Sequence, residues 1–183
     1  MEKKVSVFLA DGFEEIEAIE PLDILRRGGV TVKTVSIMNS INVKGAHGIT
    51  LKADISVSDV DVNDMDMLML PGGQGHTLLD ASNEVHALIN HAITHNKYIA
   101  AICASPSILG KKQILADKKA TCYPGFESLC YGAEMTTEKA VIDGKIITGR
   151  GPGAASDFGF MALSVLKDAD TANKLKDEMQ YND

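Results

Sequence analysis

Four times along this chain a short apolar run breaks off at a sharp turn, and that recurrence constrains the fold more than any other feature. Val5 to Ala10 stops at Asp11-Gly12, Met65 to Leu70 at Pro71-Gly72-Gly73, Tyr98 to Ile102 at Cys103, and Ile146-Ile147-Thr148 at Gly149-Arg150-Gly151-Pro152-Gly153. Runs this short, apolar throughout and closed by turn residues, read as strands buried on both faces. Between them lie segments of helical period. Ile16, Ala18, Ile19, Leu22, Ile24 and Leu25 recur at that spacing before Gly28-Gly29 closes the segment, and residues 84–95 form a second helix. Val30 to Ile37 is a further strand, residues 42–44, 48–52 and 119–123 are shorter extended pieces, and residues 140–148 form a hairpin turning on Asp143-Gly144. Two helices finish the chain. Strands alternating with helices predict an α/β three-layer αβα sandwich, a mostly parallel sheet with helices on both faces.

With 183 residues and no linker, repeat or low-complexity segment, a single domain over 1–183 is expected. The formal charge is −7, and basic residues cluster no further than Lys3-Lys4, Lys111-Lys112 and Lys118-Lys119, which argues against stable nucleic-acid binding. Cys103, Cys122 and Cys130 match no paired zinc spacing, and an odd count does not make a disulfide framework. The run after Lys4 ends too soon at Asp11 for a secretory signal, and no apolar stretch reaches membrane-spanning length. A reducing, cytoplasmic setting with no membrane association is expected.

In a parallel sheet the functional loops lie beyond the carboxyl ends of the strands. The loops after residues 10, 70, 102 and 148 should therefore converge, bringing together a thiol, carboxylates, glycine amides and Arg150. Cys103 stands between small residues Ala101 and Ser105 at a strand-to-helix turn, with Ser105 expected to cap the helix and Pro106 to occupy its first position. A thiol so placed is expected to be exposed and biased toward thiolate by the amides of the helix start. Glu14 and Glu15 are explained by the dipole of the first helix. Glu17, among Ile16, Ala18 and Ile19, is expected to point inward with a raised pKa, so that it could donate to a thiolate. His76 follows the glycine turn and could touch substrate. His91 and His95 have metal-binding spacing but read as an exposed helix face, and no metal is expected. Arg150 could bind an anion or pair with a carboxylate at a subunit contact. Cys122 and Cys130 read as unreactive thiols, and the 149–153 loop lacks a full dinucleotide-binding pattern.

Five pieces in order, Ala10 to Glu17, Pro21 to Gly29, Leu70 to Gly73, Ala100 to Pro106 and Thr148 to Gly153, resemble the ThiJ/PfpI superfamily. The likeness is strongest to its branch containing the parkinsonism-associated protein deglycase. The resemblance implies a flavodoxin-like, class I glutamine-amidotransferase-like fold and a homodimer without metal or dissociable cofactor. It implies that Cys103 is the reactive, oxidation-prone cysteine and Glu17 its hydrogen-bonding partner. Gly72, Gly73 and Ala104 would line an oxyanion and substrate site, and Asp23, His47, His76 and Arg150 would be substrate or dimer contacts. The implied activity is that of a glyoxalase or protein deglycase acting on 2-oxoaldehydes, methylglyoxal or glyoxal, or on their early adducts on protein side chains. A redox-responsive stress-protection or chaperone role is the alternative, and a peptidase or amidotransferase activity is disfavoured. Two positions depart from the pattern. Tyr123-Pro124 stands where many branches have His-Pro, which argues against a Cys–His dyad, and His47 replaces an arginine, which would make an anion contact weaker or pH-dependent.

Overall fold

A computed structural model describes residues 2–181. Its centre is a seven-stranded sheet formed by β1 (Lys4–Leu9), β2 (Thr31–Ser36), β5 (Ile55–Ser56), β6 (Met67–Leu70), β7 (Tyr98–Ile102), β10 (Ala140–Asp143) and β11 (Ile146–Gly149). The strands lie in the order β10-β11-β7-β6-β1-β2-β5. All neighbours run parallel except β10 and β11, which form the expected hairpin. Asp143 pairs with Ile146, so the turn residues are Gly144 and Lys145, one position later than the Asp143-Gly144 reading. Gly144 has φ +60°, the left-handed conformation this tight turn uses.

Strand side chains alternate between two cores. Val5, Val7, Leu9, Met67, Met69, Ala100 and Ile102 face one side, where they meet α1 (Glu15–Arg27), α5 (Ala155–Leu166) and α6 (Ala169–Glu178). Phe8, Leu68, Leu70, Ile99 and Ala101 face the other, covered by α2 (His76–Ala81), α3 (Asn83–Thr94) and α4 (Pro106–Lys111). Each strand thus contributes to both layers, which is why the runs carry no polar alternation. The mostly parallel αβα architecture is the one the sequence predicts.

Two further expectations are modified. The extended pieces at Asn42–Lys44 (β3) and Thr50–Lys52 (β4) pair only with each other, as an antiparallel hairpin outside the main sheet. Residues 119–123 hold only a two-residue strand, Lys119–Ala120 (β8), pairing with Glu134–Met135 (β9). The chain then leaves extended pairing because the Thr121 amide is taken by the Thr148 hydroxyl and the Tyr123 amide by the Cys103 carbonyl. Among the described residues no helix is long and apolar enough to cross a membrane.

Candidate active site

The loops at the carboxyl ends of β1, β6, β7 and β11 do meet. Phe13 bridges Gly73, the Glu14 amide donates to the Gly72 carbonyl at 3.0 Å, and the Gly75 amide to the Gly12 carbonyl at 2.9 Å. These bonds lock the turn after β1 to the turn after β6. On the other side the Cys103 amide donates to the Gly149 carbonyl and the Tyr123 amide to the Cys103 carbonyl, both at 2.9 Å. Cys103 is therefore fixed from both neighbours while its backbone sits at φ +65°. A non-glycine residue there costs on the order of 1 kcal/mol or more, tolerated because surrounding bonds over-determine it. The result is a strand-to-helix elbow that aims the side chain at the β6 turn.

The elbow differs in two respects from its sequence reading. Ser105 does not cap the helix: its backbone is already helical and its hydroxyl donates to the Pro71 carbonyl at 2.6 Å, pinning the Pro71-Gly72-Gly73 turn beneath the thiol. Pro106 does occupy the first helical position, but the helix is only six residues long. Nor is the thiol freely exposed or biased to thiolate. Cys103 is 9% exposed, and burial, with the Glu17 charge and a hydrogen bond to Glu17, pushes its pKa up to about 12. Only the amides of Gly73 and Ala104, donating to the sulfur, pull the other way. Burial wins because a six-residue helix start offers little field against a desolvated sulfur facing a carboxylate.

Glu17 lies on the first turns of α1 and is completely buried. Its Oε2 accepts from the Gly72 amide at 2.9 Å, while Oε1 has no hydrogen-bond partner among the described residues. Desolvation raises its pKa to about 7, against the opposing pull of the Cys103 thiol and the Gly72 amide, with the Glu14 charge adding to the rise. Pro21, four residues on, removes the amide that would have bonded the Glu17 carbonyl. The Glu17 carboxylate thus suppresses ionisation of the thiol, while the thiol hydrogen bond favours the ionised carboxyl. Above about pH 7 the pair is left with a single proton, and when Glu17 carries it the chief electrostatic obstacle to a thiolate is gone.

Glycine is required at the centre. A Cβ on Gly72 would stand 2.6 Å from both the Cys103 Cβ and the Glu17 Oε2, and 3.0 Å from Sγ. Gly73 has φ +80° and would clash with the Glu14 amide, so its own N–H stays free to face the sulfur. Cys103, Glu17, Gly72, Gly73 and Ala104 therefore share one site.

The more distant candidates divide. His76 starts α2, with Nδ1 2.8 Å from the Gly73 carbonyl and its ring edge-on to Phe126 at 5.3 Å. It buttresses the glycine turn. His47 is held by acids instead of awaiting an anion: Nδ1 lies 3.0 Å from Glu15 and 3.4 Å from Glu14, and the Glu15 interaction raises its pKa. Glu15, beyond its dipole role, is buried and accepts the amides of His47 and Ile49, tying the β3–β4 hairpin to α1. Glu14, Glu15 and His47 bring one donor atom each within 4.8 Å of one another, two carboxylates sharing one imidazole. Asp23 is not brought to the site; it pairs with Arg27 one turn along α1 at 2.6 Å. Arg150 meets no carboxylate within ion-pair distance among the described residues, and with Tyr123 it lines a cavity beside the elbow. His91 on α3 stacks at 3.8 Å on His95, which caps the carboxyl end of that helix, and Cys122 and Cys130 are buried in the core layer. All three cysteines are free thiols. The reading from sequence missed the Ser105–Pro71 and Glu15–hairpin contacts, because nothing in local spacing signals a partner more than thirty positions away.

A strained cysteine elbow at the carboxyl edge of a parallel sheet, with a buried glutamate and glycine amides aimed at the sulfur, defines the class of αβα cysteine-elbow proteins. Residues 3–165 match the DJ-1/PfpI family model, and the chain belongs to that family. It is 38% identical over 167 residues to Protein DJ-1 homolog B of Arabidopsis thaliana, covering 90% of this chain but only 38% of that longer protein. Deglycase TK1284 of Thermococcus kodakarensis is 31% identical over 152 residues, 82% of this chain and 91% of its own. The structure of oxidized Toxoplasma gondii DJ-1 superposes with a TM-score of 0.94 at 32% identity, over 99% of this chain and 100% of that one.

Proposed function

We propose that this chain is a cysteine-dependent glyoxalase or deglycase acting on small 2-oxoaldehydes or their early adducts on protein side chains. The observation that carries this reading is the convergence of the Cys103 sulfur, the buried Glu17 carboxyl and the amides of Gly73 and Ala104 on one point. The deglycase name of the Thermococcus relative supports the same reaction class. The step sequence follows from the shared proton. The thiol proton passes to Glu17, and the thiolate adds to the aldehyde carbon while the carbonyl oxygen turns toward the two amides. Glu17 returns the proton to that oxygen, giving a thiohemiacetal. The carboxylate then removes the C1 proton and delivers it to C2 while the hydroxyl proton passes from the C1 oxygen to the C2 oxygen, so that C1 is oxidised as C2 is reduced, leaving a thioester of a 2-hydroxy acid. Water hydrolyses the thioester and regenerates the thiol. The net change is methylglyoxal plus water to lactate, with no external oxidant or reductant.

The test is lactate formation from methylglyoxal without glutathione. Wild type is expected to turn over, while Cys103→Ala and Glu17→Gln lose at least about a hundredfold in kcat. Unchanged turnover in both variants overturns the mechanism. A second reading, oxidation of the same thiol to sulfinic acid as a stress signal, is favoured by the oxidized state of the Toxoplasma relative; mass spectrometry of Cys103 after mild peroxide, in a protein inactive on aldehydes, would select it. A homodimer is also proposed. Ile16 on α1 and Ile49 beside the hairpin it anchors are 50% and 54% exposed, an apolar pair suited to a second copy, and light scattering tests it.

A further inference from the structure

Beside the elbow is a cavity of about 320 Å³ lined by Tyr123, Pro124, Lys139, Arg150 and the 151–154 turn. Its volume falls at the lower end for small-molecule pockets. Its two walls are joined to the nucleophile through the backbone. The Tyr123 amide bonds the Cys103 carbonyl, and the Cys103 amide bonds the carbonyl of Gly149, the residue before Arg150. The cavity walls are therefore tied to the Cys103 backbone. Both its charged side chains are cations, set side by side because the Arg150 amide donates to the Lys139 carbonyl at 2.9 Å.

The two cations are not equivalent. Lys139 extends into solvent and pairs with Asp157 at 3.4 Å. Arg150 is half-buried, and among the described residues its guanidinium makes no hydrogen bond or ion pair. The acid that feels its charge, Glu127, is exposed and spends its carboxylate on the Gly125 amide at 2.7 Å. An unpaired guanidinium facing a cavity on a chain of net charge −7 offers a planar fork for a carboxylate or phosphate. The Tyr123 ring lies against Gly151 and adds a hydroxyl-bearing side chain to the lining.

We propose that this cavity is a substrate subsite for an anionic group, so that the preferred substrate of Cys103 carries a carboxylate or phosphate a few bonds from its reactive carbonyl. The proposal rests on the aldehyde chemistry above for the identity of the substrate, but not for the binding of the anion. Two measurements separate them. In the first, inorganic phosphate and acetate are titrated into the full chain and followed by amide shifts. Saturable shifts at Tyr123, Arg150 and Gly151 are expected, weakened about tenfold in Arg150→Ala and partly kept in Arg150→Lys. The stronger of the two probes identifies the anion class. In the second, kcat/KM is compared for methylglyoxal and a 2-oxoaldehyde bearing a terminal carboxylate or phosphate. The ratio of anionic to neutral substrate should fall about tenfold or more in Arg150→Ala. Shifts that ignore the Arg150 substitutions, or an unchanged ratio, overturn the subsite. If no aldehyde is turned over by wild type, the proposed reaction fails while the anion titration still decides the subsite; should Arg150→Ala not fold, the Arg150→Lys comparison decides it.

Discussion

Replacing Glu17 by glutamine should remove a specific part of the pH dependence of stability. In the unfolded chain this carboxyl ionises near its ordinary 4.5, whereas in the folded protein burial holds it at about 7. The folded state therefore binds the proton more tightly, and stability must fall as pH rises between those values. At 0% exposure the group has no solvent to screen it, and the interval corresponds to about 3 kcal/mol. That is a large share of the stability of an ordinary domain. The substituted amide would be neutral throughout, would keep an acceptor for the Gly72 amide, and would lack this dependence. The assay is urea unfolding of wild type and Glu17→Gln at pH 4.5 and pH 8, each compared with itself so that any constant cost of the substitution cancels. Wild type is expected to lose about 3 kcal/mol more than the variant, roughly 6–12 °C in Tm. Keeping to pH 8 stays below the ordinary thiol value of 9.0, so that the buried Cys103 does not add its own dependence. Parallel pH profiles for the two proteins would refute the buried, proton-holding carboxyl on which the mechanism depends.

Three further outcomes are expected. Gly72→Ala forces a methyl to within 2.6 Å of Cys103 and Glu17, so methylglyoxal turnover should fall at least about a hundredfold while far-UV circular dichroism stays native; near-normal kcat would contradict the packing at the site. Ser105→Ala strands the buried Pro71 carbonyl and should cost about 1–3 kcal/mol in chemical denaturation, with loss of activity as the turn under the sulfur loosens; a neutral effect would argue against the contact. His47 should titrate above 6.5 by NMR, because its ring is paired first with Glu15 and then with Glu14. The pairing is complete below 6.5 and lost as pH rises through the raised value, and Glu15→Gln should bring the midpoint down; a midpoint at or below 6.5 in wild type would contradict the ion pair.

How far the site can be read in advance follows from how local each cause is. The elbow at Cys103 is legible because an apolar run ending at a cysteine, followed two residues on by Ser105-Pro106, leaves few other ways for the chain to turn. The convergence of four loops is legible too, since parallel strands deliver their carboxyl ends to one edge. The state of the thiol is misread from sequence because helix-start amides are a local cause while desolvation is not. Nothing between Tyr98 and Ser107 says that Glu17 will be driven against the sulfur. Ser105 is misread for the same reason, its hydroxyl being drawn to a carbonyl on the neighbouring strand's turn instead of to its own helix.

By itself the sequence determined the αβα layering, the placing of Cys103 and Glu17 at one edge, and membership of a family whose motifs are short and consecutive. Periodicity and turn chemistry act over a few residues, and so they can be read along the chain. Only the tertiary structure decided that burial holds the thiol protonated, that His47 is bound by Glu15, and that Arg150 is left unpaired beside the nucleophile. Those are matters of dielectric and of charge partners drawn from distant strands, set by which surfaces the packed layers exclude from water.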